Sequence, residues 1–286
     1  NLRRPGQPVA PDRCGRVMET HRPLARLAYR AGAFRDGSRE LPSEVAVALS
    51  YNGSTHAVMM ATPADLADFA SGFTQTEGIA TLSEIDSIEA VETPRGIDLQ
   101  IWLHADAADR QAKRRRSMAG PVGCGLCGID SLEEAVRVAR PVPPSDLRLT
   151  PAQVMQAVAA LEAHQPLHDL TRAAHCAAFW TAADGIHTAR EDVGRHNALD
   201  KLIGALPADL RGQGALVLTF RTSIDMVQKA CAGGFPVLIA VSAPTAAAVQ
   251  MADAAGLTLI ALARPDGFEV FTHPDRIMPE DAADVA

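Results

Sequence analysis

The chain has 286 residues, 47% of them apolar, and a formal charge of −7 at pH 7. That apolar content supports one large or two modest cores and excludes disorder as the default, while the acidic balance argues against a nucleic-acid partner, which needs a broad basic surface. No apolar run approaches the roughly eighteen residues of a membrane span, and Asn1-Leu2-Arg3-Arg4 lacks the apolar segment of a secretory signal, so the chain reads as soluble and cytoplasmic with no membrane partner.

Residues 1–40, rich in Arg, Pro and Gly, show no clear periodicity and are expected to form an N-terminal arm or irregular edge. Order begins with two alternating runs, Glu44 to Ser50 and His56 to Met60, around Asn52-Gly53. That dipeptide is a strong hairpin signal because both residues tolerate positive φ. Thr62-Pro63-Ala64-Asp65 has the form of a capping box with Pro at the first helical position, and predicts an amphipathic helix to about Phe69. Asp86 to Thr93 and Ile97 to His104 predict a further strand pair turning at Pro94-Arg95-Gly96. Residues 41–145 therefore read as a sheet-rich subdomain.

Within it, the basic run Lys113-Arg114-Arg115-Arg116 precedes Gly123-Cys124-Gly125-Leu126-Cys127-Gly128. Five scattered cysteines do not make a disulfide framework, and Cys14, Cys176 and Cys231 read as incidental thiols. The glycines around Cys124 and Cys127 permit positive φ and close approach to the sulfur. A helix opening at Ser131-Leu132-Glu133-Glu134 and running to Arg140 would put its dipole near Cys127 and favour thiolate. Spacing alone leaves three readings open: half a zinc site, with His175, Cys176 or His196 joining in space; a thioredoxin-like redox pair; and a sulfur relay.

Pro141-Val142-Pro143-Pro144 cannot continue a helix and marks a soft boundary, with residues 146–286 as an α/β subdomain. A helix is expected at Pro151 to His164 and a strand at Ala177 to Thr181. Strands at Ala215 to Phe220, Pro236 to Ser242 and Leu257 to Ala263 then alternate with helices at Ser223 to Ala232 and Pro244 to Ala255. Continuous apolar strands in this rhythm predict a parallel sheet covered on both faces. Such sheets bind ligands at the carboxyl ends of their strands, which here carry Arg221-Thr222-Ser223, Ser242-Ala243-Pro244-Thr245 and Arg264-Pro265-Asp266-Gly267. Two of these segments open helices, so a phosphate or pyrophosphate is the natural guest; the plainer alternative is that Thr222 and Ser242 only cap helices.

Glu191-Asp192-Val193-Gly194-Arg195-His196-Asn197-Ala198-Leu199-Asp200-Lys201 reads as a loop entering a helix, with Arg195 able to bind an anion and His196 able to move protons. The plainer reading of His196 is a hydrogen bond to Asp200 one turn on. Together with Cys124-Gly125-Leu126-Cys127, this string resembles the FdhD family, the formate dehydrogenase accessory sulfurtransferases. Met226-Val227-Gln228-Lys229-Ala230 and Val241-Ser242-Ala243-Pro244-Thr245 share the likeness, which runs from about residue 42 to 275.

The resemblance implies a three-layer α/β/α, cytidine-deaminase-like fold with a smaller sheet-rich N-terminal part, and a homodimer. It implies a sulfurtransferase that takes persulfide sulfur from a cysteine desulfurase on Cys124, with Cys127 as helper, and passes it to the molybdenum bis(molybdopterin guanine dinucleotide) cofactor required by formate dehydrogenase. It places the guanine dinucleotide at Leu262, Ala263, Arg264, Pro265, Asp266 and Gly267, joined by Arg221, Ser242 and Thr245 from the crevice reading and by Arg195 and His196 from the Glu191 string. It implies no resident metal. A cofactor-binding chaperone without catalysis and a zinc-binding module are the alternatives. Phe220 stands where the family usually has Gly, and is expected to narrow a phosphate-facing turn.

Overall fold

The computed structural model describes residues 18–117, 139–264 and 266–278. Cys14, the Cys124 to Cys127 loop and the helix expected from Ser131 lie outside them, as does Pro265. None of the helices searched among the described residues is long and apolar enough to cross a membrane.

Strands β1 (His21–Arg30) and β2 (Ala33–Pro42) form an antiparallel ribbon, paired from His21 with Pro42 to Arg30 with Ala33. This corrects the expectation of an irregular edge. The turn residues Ala31 and Gly32 take φ of 48° and 82°, the positive values that a two-residue hairpin turn of the right hand requires.

A four-stranded sheet follows in the order β4-β3-β6-β5, from β3 (Val45–Tyr51), β4 (Ser54–Ala61), β5 (Ile85–Thr93) and β6 (Gly96–Leu103). Asn52 and Gly53 turn the first hairpin with φ of 48° and 79°. Helix α1 (Leu66–Thr76) buries Phe69, Ala70 and Phe73 against Val47, Leu49, Leu99 and Ile101 of the sheet. Helix α2 (Ala105–Ser117) includes the basic run. Thr62 does not cap α1: the helix starts later, at Asp65 in the left-handed region, with no side-chain cap.

The larger sheet has the order β12-β11-β10-β9-β7-β8, with β7 (His175–Thr181), β8 (Gly185–Asp192), β9 (Ala215–Leu218), β10 (Val237–Ala240), β11 (Thr258–Arg264) and β12 (Gly267–Val270). The parallel arrangement expected of the strands at Ala215, Pro236 and Leu257 is present as β9, β10 and β11. Only β9, β10 and β11 run parallel, because β7 and β8 join as a hairpin that meets β9 antiparallel, and β12 folds back on β11. Alternate residues serve two cores. Phe179, Leu216, Leu218, Leu238 and Leu259 face helices α5 (Arg195–Ala205), α6 (Ile224–Gly233) and α7 (Ala246–Ala255). Trp180, Val217, Ile239 and Ile260 face the other way, onto Leu149 and Val154 of α3 (Pro151–Ala160) and its approach. Each fully buried Val, Leu or Ile contributes about 1.5–3 kcal/mol of transfer free energy. The short α4 (Pro166–Thr171) lies at the ribbon's base, where Arg39 Nη2 donates to the Thr171 carbonyl at 3.2 Å.

The two sheets meet where α1 crosses α5. At the crossing, a Cβ on Gly72 would lie 1.7 Å from the Asp200 carbonyl oxygen, and one on Gly204 would lie 1.9 Å from that of Asp68. Backbone therefore rests on backbone. Two buried ion pairs flank the contact. Lys201 Nζ sits 2.6 Å from Asp192 Oδ2, both side chains at 0% exposure, and donates to the Thr62 carbonyl at 2.9 Å. Asp192 also accepts from the backbone of Thr62 and Gly194 and from Asn197, whose amide reaches the Met60 carbonyl as well. On the other side, Lys229 Nζ meets Asp200 and Glu77 at 2.9 Å and Thr76 at 3.0 Å. Burial alone would lower the Lys229 pKa, but Asp200 and Glu77 outweigh it and hold the ammonium charged.

Two stability measurements probe this joint. Gly72→Ala forces backbone apart and is expected to lower unfolding free energy in urea by at least about 2 kcal/mol. Gly212→Ala, with nothing within 4 Å of its Cβ, should be near neutral. Equal losses would remove the crossing as the cause. Lys201→Met strands Asp192 as a buried, unpaired carboxylate, so a loss of about 3–5 kcal/mol is expected at neutral pH.

Candidate functional site

The loops after the parallel strands are zipped side by side. Thr222 donates its backbone N–H to Ala243, Thr245 donates back to Thr222 at 3.0 Å, and Leu262 donates to Ser242 at 3.3 Å. These bonds bring Arg221, Ser242, Thr245 and Leu262 onto one ledge. Leu262 holds φ of 53° at 36% exposure, a left-handed conformation uncommon for a residue with a branched side chain, beside a break in the β11–β12 register. Arg264 hydrogen-bonds the Val241 and Ala263 carbonyls, tying its guanidinium to the neighbouring loop. The Thr245 hydroxyl is engaged in capping α7, accepting from Ala248 N–H, whereas Ser242 caps no helix. Arg221 and Asp266 are exposed.

Beside the ledge, the starts of α5 and α6 face each other. His196 Nε2 lies 3.3 Å from Asp225 Oδ2, and Ser223 donates to the same oxygen at 3.3 Å. The hydrogen bond from His196 holds the Asp225 carboxyl below its usual range. The plainer alternative for His196, a hydrogen bond to Asp200, is not the one formed, since Asp200 is engaged by Lys229 and Thr76. Neither Gly194 nor Ser223 supplies a side-chain cap, which leaves first-turn N–H groups on two helices directed at one locality. The Thr222 hydroxyl, fully buried, and Arg195 Nε have no hydrogen-bond partner among the described residues. His175, half-buried, is pushed below the usual histidine pKa by burial and by the Arg195 charge. Phe220 turns inward at 4% exposure with its ring 5.4 Å from His175, so it does not narrow the turn as expected.

An Arg, two helix N-termini and orphaned polar atoms suit a phosphate or pyrophosphate: the charge is opposite, and the donors are already in place. Sequence reading named Arg195, His196, Arg221, Ser242 and the Leu262 segment, which the structure brings to this region, but did not name Asp225. Its only local signal was an acid in the first turn of a predicted helix.

A cavity of about 390 Å³ lies elsewhere, between the ribbon's base and α4, lined by His21, Asp65, His164, Leu167, Leu170 and Glu191. No predicted site residue lines it. Glu191 accepts from the backbone N–H groups of Leu167 and His168 at 2.8 Å and so caps α4. We give the ledge precedence because it holds the cationic and unpaired donor groups.

The described thiols take no part. Cys176 and Cys231 are buried, and burial pushes each up to about 12, leaving them protonated at neutral pH. Among the described residues, no group of three or more His, Cys, Asp or Glu could hold a metal ion.

A model described as the FdhD/NarQ family matches residues 42–278. The sulfur carrier protein FdhD of Agrobacterium fabrum is 52% identical over 265 residues, covering 92% of this chain and 98% of that protein. The proteins of the same name from Brucella abortus and Cupriavidus necator are 49% and 46% identical, covering 90% and 91% of this chain and 97% and 91% of their own. A crystal structure from Desulfotalea psychrophila, provisionally described as a formate dehydrogenase accessory protein, superposes with a TM-score of 0.71 over 91% of this chain and all of that one; at 24% identity it bears on the fold alone. With the family model spanning residues 42–278 and relatives near half identical over nine-tenths of the chain, the chain belongs to the FdhD/NarQ family.

Proposed function

We propose that this chain is a cytoplasmic sulfur carrier in which Cys124 holds a persulfide for a molybdenum cofactor. The observation that carries this is a division among the cysteines. Two are locked in the core as protonated thiols, while Cys124 and Cys127 are flanked and separated by glycines in the sequence, in a chain half identical to a protein named for carrying sulfur.

In the loading step, the Cys124 thiolate attacks the terminal sulfur of a persulfide on a cysteine desulfurase. The donor's S–S bond breaks and its thiolate leaves, with no net oxidation. In release, the Cys127 thiolate attacks the inner sulfur of the Cys124 persulfide. A Cys124–Cys127 disulfide forms and the outer sulfur departs as hydrosulfide, reduced by the two electrons of the new disulfide. The acceptor on this reading is the bis(molybdopterin guanine dinucleotide) cofactor of molybdenum, treated as substrate and destined for formate dehydrogenase. Its phosphates would sit between Arg195 and the start of α6, and its guanine along Leu262 to Gly267. The helices on both faces of the large sheet support the cytidine-deaminase-like layering that the family resemblance implies.

Incubation with a cysteine desulfurase and cysteine, followed by intact mass with and without reductant, tests the carrier. One reducible sulfur is expected on the native chain and none on Cys124→Ala; no gain, or an unchanged gain in the variant, overturns the assignment. For the phosphate subsite, Arg195→Ala should weaken binding of guanosine diphosphate about ten-fold by calorimetry, the loss of one charge-assisted contact, while sulfur loading is unchanged. Unaltered nucleotide affinity would take Arg195 out of the site.

A further inference from the structure

Strand order puts a second histidine beside His196. β7 runs antiparallel to β9 with Ala177 opposite Leu218, so its first residue, His175, stands at the carboxyl end of β9, where the loops of the ledge gather. The Phe220 ring lies against the imidazole at 5.4 Å, the two planes 79° apart. Among the described residues none hydrogen-bonds to that imidazole, whereas His196 is held by Asp225 and His168 Nδ1 lies 3.0 Å from the Ala174 carbonyl. Charged and titratable groups surround the ring: Arg195 and His196 from α5, His168 from α4, and Asp192, its register partner on β8. Asp192 is committed to Lys201, Glu191 to the start of α4 and Asp225 of α6 to His196. The cation that His175 feels most is therefore Arg195.

Burial and that charge hold the empty-site imidazole below the usual histidine range, so it is neutral at pH 7. A phosphate dianion beside Arg195 reverses the local field, because it neutralises the guanidinium and an anion within about 4–6 Å favours imidazolium. Resting on the phosphate subsite proposed above, we propose that His175 is its proton-linked residue: it takes one proton from solvent as a phosphate dianion enters, and the imidazolium then holds the anion jointly with Arg195. The free ring titrates below the occupied one. Between the two midpoints, binding therefore takes up as much as one proton and affinity falls as pH rises, by at most about ten-fold per pH unit. Below both midpoints His175 is charged with or without the anion, and its contribution to the pH dependence vanishes.

Calorimetry of guanosine diphosphate binding to the full chain tests this at pH 7.5, above the second phosphate pKa of about 6, in HEPES and in Tris, whose ionisation enthalpies differ. The native chain is expected to take up about half a proton per nucleotide, with Kd rising about two-fold between pH 7.5 and 8.5. His175→Gln, which keeps a neutral hydrogen-bonding side chain, should still bind but lose that half proton and flatten the pH profile. Uptake unchanged in this variant overturns the proposal and leaves the nucleotide site standing, whereas a native chain that does not bind guanosine diphosphate overturns the subsite and the proposal together. Histidine NMR on the native chain needs no variant. The imidazole that shows a through-space contact to the Phe220 ring should titrate at least about one pH unit higher when the site is saturated with the nucleotide, and an unmoved midpoint overturns the proposal.

Discussion

Everything described here depends on the close crossing of α1 and α5, where Gly72 and Gly204 let two backbones touch. A side chain at either position would separate the four-stranded sheet from the six-stranded one. Consecutive residues of α5 then reach in different directions: Asp200 toward Lys229 and the end of α1, Lys201 toward Asp192 and the start of the α1 segment. The first turn of α5 is thereby fixed against both sheets. Arg195 and His196 hold their places because the residues five positions on are pinned.

Buried ion pairs are weak evidence for net stability, since desolvation offsets much of their attraction. Their value here is in selection. A hydrophobic crossing of the same volume could slide by a turn, but Asp192 must find the Thr62 and Gly194 N–H groups, Asn197 and Lys201 together. One register satisfies all of them. In the Glu191 to Lys201 string, Asp192, Asn197 and Lys201 thus face inward as fasteners, while Arg195 and His196 stay only partly buried.

The sequence made the local geometry readable wherever one residue dictates a turn. Asn52-Gly53, Gly234 and Gly256 all adopt the positive φ their positions suggested. It was less readable where tertiary contacts override local pattern. Thr62 looks like a helix cap, but the folded chain uses its hydroxyl, carbonyl and N–H to receive residues 130 positions away. The antiparallel entry of β7 into the large sheet leaves no trace in composition, because a buried strand reads as apolar in either direction. The ribbon escaped notice because arginines alternating with small residues have no core face to announce a strand. At the site, Arg195 and His196 could be picked out from one string, but their neighbours His175 and Asp225 are set by strand order alone.

The helix crossing also imposes a schedule on biosynthesis. Gly72 leaves the ribosome some 130 residues ahead of Gly204, which at bacterial translation rates of about 5–20 residues per second is a delay of roughly 6–26 s. Throughout that interval the glycine face of α1, the Thr62 segment and the Glu77 carboxylate have no α5 or α6 to receive them. The amino-terminal sheet must therefore wait as a half-finished surface until residues 192–229 have been made.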